Sequence, residues 1–302
     1  MFLPALAFVV AQSAAPSWAS LQAAYNYSPP AAPTFVKVVG DEPSFKFTFT
    51  GSPGDTVHAI LVEPKGTGKF PVVILLHGLG GNKEYMAKTL GDDLIQHGIA
   101  YAAIDAPGHG ERQTEADKTA FGKIMGAFVV SKGDLFQAIL KTDSDGSVLG
   151  LLNRATVKGI VDNRILLDFI SLRPEIDGGR VGVIGDSMGS IMGSIWGAVD
   201  SRVKAMALMV GGDPVVPFLA DIPANMRDAA LDGSCSLYAP HCSAAVFMLN
   251  GTKDTIMPRS ATDRLYNAFP QANRSIKWYE SDHFLPPAAN GDSVDWIAGK
   301  LK

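Results

Sequence analysis

The chain has 302 residues, of which 47% are hydrophobic and 19% charged, enough apolar material for a large core and too much for a disordered or collagen-like chain. Lys and Arg total 26 against 30 Asp and Glu, a net charge of -4, so no basic field invites nucleic acid and no polybasic run invites an anionic membrane. Two cysteines are too few for a disulfide scaffold or a four-cysteine metal site.

The first 36 residues contain no Asp, Glu, Lys or Arg. Phe2 to Ala11 is an apolar run, shorter than the roughly 20 residues of a membrane span and suited to the core of a secretory signal. Ser17-Trp18-Ala19 places small residues at the -3 and -1 positions of a cleavage point after Ala19, although the usual basic start is missing. Residues 1–19 therefore predict export, to the periplasm or outside the cell; a retained N-terminus predicts a cytoplasmic protein with an arm packed on the domain. Residues 20–33, ending in the Pro/Ala stretch from Ser28, read as a linker into one domain over 34–302.

Thr34–Val39, Phe45–Phe49 and Val57–Val62 are short and rich in β-branched or aromatic residues, which predicts an antiparallel start to a sheet. Pro71–Leu76 is apolar at consecutive positions, as a strand covered on both faces should be. Ile99–Ile104, Val181–Ile184, Val203–Val210, Ala245–Leu249 and Ser275–Tyr279 read as further strands. Helix patterns fall between them at Lys83–His97, Ala155–Leu172, Met188–Val199, Arg259–Phe269 and Ser293–Leu301. The alternation predicts an α/β fold with a mostly parallel sheet and helices on both faces. Residues 115–153 and 213–243 break the alternation and read as cap-like insertions or as plain surface excursions.

Val181–Ile184 runs into Gly185-Asp186-Ser187-Met188-Gly189 and then into a helix. This is G-x-S-x-G in its required context of strand, sharp turn and helix, which lifts the Ser187 hydroxyl clear of the sheet edge. A serine hydroxyl needs a base to take its proton. Among the six histidines, His283 follows the last strand at the same edge. His109, in the turn from Asp105 to Gly110, is its rival, while His58 and His97 sit where structural histidines are expected. Asp254 follows the strand ending at Leu249 and is the candidate to orient the imidazole, ahead of Asp282 and Asp105. The turn His77-Gly78-Leu79-Gly80-Gly81 offers a backbone N–H at Leu79, and Met188 a second, for an oxyanion. His77, Gly78 and Phe218 are candidate substrate contacts. The apolar residues of 213–243 are candidates for a pocket wall. Cys235 and Cys242 could pair after export or stay as thiols in the cytosol, and a zinc site beside His241 lacks further local ligands.

Together, H-G-L-G-G, D-x-P-G-H-G, G-D-S-M-G, G-T-K-D and S-D-H-F, in this order from about Val57 onward, resemble an α/β-hydrolase-fold serine esterase of the dienelactone-hydrolase and prolyl-oligopeptidase-like branch. The resemblance implies an eight-stranded sheet and cofactor-free, metal-free hydrolysis through an acyl-enzyme. In it Ser187 is nucleophile, His283 base, Asp254 its orienter, and Leu79 and Met188 the oxyanion donors. The chain departs in carrying Ser190 where a glycine often follows the elbow, and in the length of the 115–153 insertion. The implied substrate is a small to medium ester, with a peptide, an amide or an acetylated sugar as alternatives. A non-catalytic binding module on this fold is the remaining class.

Overall fold

The computed structural model describes residues 16–38, 40, 42–131 and 135–302. Its elements run α1 (Trp18–Ala23), β1 (Val36–Val38), β2 (Ser44–Thr50), β3 (Thr56–Val62), β4 (Phe70–Leu76), α2 (Lys83–Gln96), β5 (Ala100–Ile104), α3 (Glu115–Val130), α4 (Leu135–Thr142), α5 (Ser147–Asn153), α6 (Gly159–Ile170), β6 (Ile176–Asp186), α7 (Met188–Val199), β7 (Val203–Met209), α8 (Arg227–Asp232), α9 (Cys235–Tyr238), β8 (Ala245–Gly251), α10 (Arg259–Ala268), β9 (Arg274–Tyr279) and α11 (Ala288–Lys300). One sheet contains the strands in the order β1-β2-β3-β5-β4-β6-β7-β8-β9. The first three strands are antiparallel, and β5, β4 and β6 to β9 run parallel to one another.

The alternation of side chains along β4 explains the layering. Val72, Ile74 and Leu76 face one apolar core, and Val73 and Leu75 face the other, all nearly without exposure. Burying each such side chain contributes about 1.5–3 kcal/mol, which is why a central parallel strand reads as an unbroken apolar run. On β2, next to the edge strand, only one face is covered: Phe47 and Phe49 are buried while Lys46 and Thr48 are exposed.

Four expectations are corrected. Among the described residues the sheet has nine strands, one for each strand read from the sequence, rather than the eight that the resemblance implies; Val36–Val38 pairs with Ser44–Lys46 as its antiparallel edge strand. The helix expected over Ala155–Leu172 is a π-helical turn (Arg154–Lys158) continuing into α6. The last helix begins at Ala288, directly after Pro286 and Pro287, five residues before the expected Ser293.

The fourth correction concerns residues 20–33, which are not a bare linker. Leu21 and Tyr25 are in the core, the Tyr25 hydroxyl donates to Asp232 O at 2.5 Å, and Arg164 donates to Tyr25 O at 2.7 Å. Trp18 stacks on His241 with ring centroids 3.9 Å apart. A cut after Ala19 would divide α1; the apolar run of the expected signal lies outside the described residues. Among the described residues no helix is long and apolar enough to cross a membrane.

Both insertions form helices. α3, α4 and α5 build a small core of their own around Ile124, Ile139, Val148 and Leu151. Short helices fill 213–243, where Cys235 and Cys242 are both buried and unbonded. Cys235 Sγ sits against Gly212 O and Cys242 Sγ near Ala244 O, so the two thiols occupy separate niches and burial raises the pKa of both.

Candidate active site

The turn between β6 and α7 is set by close backbone approach. A Cβ on Gly185 would collide with Gly189 O, and one on Gly189 with Leu76 O, so neither position accepts a larger residue without displacement. Ser187 between them has φ 52° and ψ -108°, a left-handed conformation that costs a side-chain-bearing residue about 1–3 kcal/mol. Hydrogen bonds hold it there: Ser187 N–H donates to Met209 O at 2.9 Å, and Ser190 N–H to Ser187 O at 2.9 Å. Ser190, the departure noted in the sequence, places its hydroxyl 2.8 Å from Gly185 O and 2.6 Å from Met209 O, bridging the ends of β6 and β7.

The loops after β8 and β9 meet this turn at the carboxyl edge of the sheet. His283 Nε2 lies 2.9 Å from Ser187 Oγ, and His283 Nδ1 lies 2.7 Å from Asp254 Oδ2. A carboxylate only accepts, so Nδ1 carries the proton and Nε2 is free to accept from the serine hydroxyl. The other oxygen of Asp254 accepts from the N–H groups of Ile256 (2.9 Å) and Met257 (2.8 Å), which fixes the carboxylate plane. The two loops are tied together by Thr252 N–H to Tyr279 O (2.8 Å) and Lys253 N–H to Ser281 O (2.9 Å). Hydroxyl, imidazole and carboxylate, 96 and 29 residues apart in pairs, are thus in one hydrogen-bonded line.

The rival residues lie elsewhere. His109 is buried with Nδ1 against Pro107 O, His58 is 3.4 Å from Glu111, and His97 is 3.1 Å from Asp295. Asp282 accepts from its neighbour Phe284 N–H, and Asp105 holds Lys83 and the N–H of Glu111. Asp186, beside the serine, is a group the sequence reading left without a role. Burial pushes its carboxyl up to about 6, against the opposing pull of the His283 imidazole.

Leu79 and Met188 line a cleft together with Ser187, and among the described residues neither of their backbone N–H groups has an acceptor. His77 and Gly78 are not among its walls. The His77 ring turns inward, where Nε2 accepts from Ala106 N–H at 3.0 Å and Nδ1 faces Gly78 O at 2.8 Å, and burial holds its pKa down at about 4. It therefore stays neutral and pins the turn rather than meeting substrate. Gly78 approaches the elbow so closely that a Cβ would lie 2.9 Å from Asp186 Oδ2. Phe218 lines a neighbouring depression that shares Phe136, Pro214 and Ile256 with the main cleft.

The cleft, about 970 Å³ with its mouth, is walled by both insertions. The sequence marked both segments as cap-like insertions but offered side chains for a pocket wall only in 213–243. Among the described residues no group of three His, Cys, Asp or Glu side chains is placed to hold a metal ion.

A family model for the alpha/beta hydrolase fold matches residues 71–243, more than half of the chain. YtaP of Bacillus subtilis, named as a hydrolase, is 28% identical over 160 residues, covering 48% of this chain and 45% of that one. The acetyl esterase Axe7A of Xylanibacter ruminicola is 22% identical over 265 residues, covering 82% of this chain and 57% of its own. The chain thus spans about half the length of these two relatives. Acetyl xylan esterase 1 from Thermoanaerobacterium superposes with a TM-score of 0.70 at 20% identity, over 94% of this chain and 92% of that one, a likeness of fold.

Proposed function

The chain belongs to the alpha/beta hydrolase fold family, and from that premise we propose that it is a serine carboxylester hydrolase acting through an acyl-enzyme on small to medium esters. The observation that supports this most is the line Ser187 Oγ, His283, Asp254, with contacts of 2.9 and 2.7 Å, at the foot of a cleft. Ser187 Oγ attacks the ester carbonyl carbon while its proton passes to His283 Nε2. The carbonyl oxygen becomes an oxyanion, which accepts from the N–H groups of Leu79 and Met188; one such donor is worth about 10²–10³-fold in kcat. Asp254 stabilises the imidazolium and keeps its orientation. The C–O bond to the alcohol then breaks, and the alcohol leaves with the proton from Nε2. Water, deprotonated by the same nitrogen, hydrolyses the acyl-enzyme and releases the acid.

Ser187→Ala should abolish labelling by a fluorophosphonate and cut turnover of a p-nitrophenyl ester by several orders of magnitude. Turnover at the parent rate would overturn the assignment. A second reading, deacetylation of sugars, draws on the names of Axe7A and the acetyl xylan esterase. Export to the periplasm or beyond is part of the proposal and draws on the apolar run from Phe2; N-terminal sequencing of the protein recovered from each compartment tests it.

A further inference from the structure

The two insertions are joined above the cleft. Asn153 at the end of α5 donates its amide to Ala229 O in α8 at 2.7 Å. Phe136 of α4 and Phe218 pack with ring centroids 5.8 Å apart. Gly146, before α5, lies so close to Met226 that a Cβ there would sit 2.9 Å from its sulfur. The roof so formed presents aliphatic groups to the cleft, among them Ile139, Leu149, Leu152 and Ala230. Among the described residues no charged side chain lines it, and one of its few polar groups, the Asn153 amide, donates to Ala229 O.

The cleft also has a direction relative to the reaction. Ser187, Leu79 and Met188 line it, but His283 does not. Beyond His283 the chain is open, with Phe284 77% exposed. The leaving alcohol must lie at His283 Nε2 to receive its proton, which leaves the apolar space under the roof to the acyl carbons.

Resting on the serine-esterase reading, we infer that this site selects the acid half of its substrate, an aliphatic acyl chain of medium length, and is tolerant of the alcohol half. An acetyl group fills only the space next to Ser187 and leaves most of the apolar walls unused. Each further methylene buried gains about fourfold in kcat/KM. The cleft is finite, so chains that outgrow its apolar walls end in solvent and gain nothing more. Acetylated sugars are therefore poor substrates, in contrast to the names of the structural relatives.

The test measures kcat/KM for p-nitrophenyl acetate, butyrate, octanoate and laurate, for methyl and hexyl octanoate, and for acetylated xylo-oligosaccharides, with fluorophosphonate labelling in parallel. The expected result is a rise of at least tenfold from butyrate to octanoate, a plateau by laurate, and little difference between the two alkyl octanoates. Ala230→Phe, which fills the cleft from α8, should lower the octanoate-to-acetate ratio at least tenfold while the protein still labels. If that variant fails to label, Leu149→Ala decides: enlarging the cleft should raise laurate relative to octanoate. A parent that labels but prefers acetate or the acetylated oligosaccharide overturns the inference alone. So does an unchanged ratio in a labelled Ala230→Phe protein, or an unchanged laurate ratio in Leu149→Ala. A parent that neither labels nor cleaves any ester overturns the catalytic reading, and this inference with it.

Discussion

Gly251→Ala tests whether the histidine loop is held in place by backbone packing far from the substrate. Gly251 ends β8 opposite Tyr279 of β9, and its α-carbon lies under the loop that carries His283. A Cβ there would sit 2.5 Å from Ser281 O and closer still to Asp282 O, where ordinary contact begins at 3.4 Å. The loop must retreat by at least 0.9 Å from Ser281 O alone. It has little freedom to do so, because Lys253 N–H holds Ser281 O and Thr252 N–H holds Tyr279 O. The displacement therefore passes to His283, whose contacts to Ser187 and Asp254 are 2.9 and 2.7 Å. A shift of about 1 Å at reacting groups costs about 10²-fold. Overpacking of this kind costs about 1–3 kcal/mol of stability, a few degrees in melting temperature. Gly251 is not a wall of the cleft, so the loss should fall on kcat with KM nearly unchanged. The assay is steady-state hydrolysis of p-nitrophenyl butyrate beside a thermal melt. A folded Gly251→Ala protein with kcat within threefold of the parent would refute the reasoning.

In Asp254→Asn, the amide oxygen must face Ile256 and Met257, which offer two N–H donors, so the NH₂ faces His283 Nδ1. That drives the imidazole proton to Nε2, the wrong tautomer for accepting from Ser187, and kcat should fall by about 10⁴ with the fold intact; a loss under tenfold would contradict this. Asp186→Asn bears on stability. The folded-state pKa of about 6 exceeds the unfolded value of about 3.9, so the folded protein binds the extra proton between them and loses stability as pH rises through about 6. The variant should be more stable than the parent in urea at neutral pH, with the gap closing as pH falls below about 6, and a gap independent of pH would rule the cause out.

The elbow at Ser187, the histidine and aspartate loops at 283 and 254, and the central strands were legible in the sequence. Each rests on local constraints: a glycine needed for close approach, an apolar run covered on both faces, or a position directly after a strand. Chain order alone then placed the three loops at one edge of a parallel sheet. Long-range packing decided the rest. Tyr25 reads as part of a linker but lies buried against Asp232. His77 occupies a motif that suggests contact with substrate, yet its ring is committed to Ala106 N–H. Cys235 and Cys242, seven residues apart in the sequence, point into different niches. The roof of the cleft comes from two insertions about 80 residues apart, joined by Asn153 and Ala229. Local chemistry along the chain determined which groups could react; only the three-dimensional packing of distant segments determined the shape and polarity of the space in front of them, because burial is a property of neighbours that are remote in the chain.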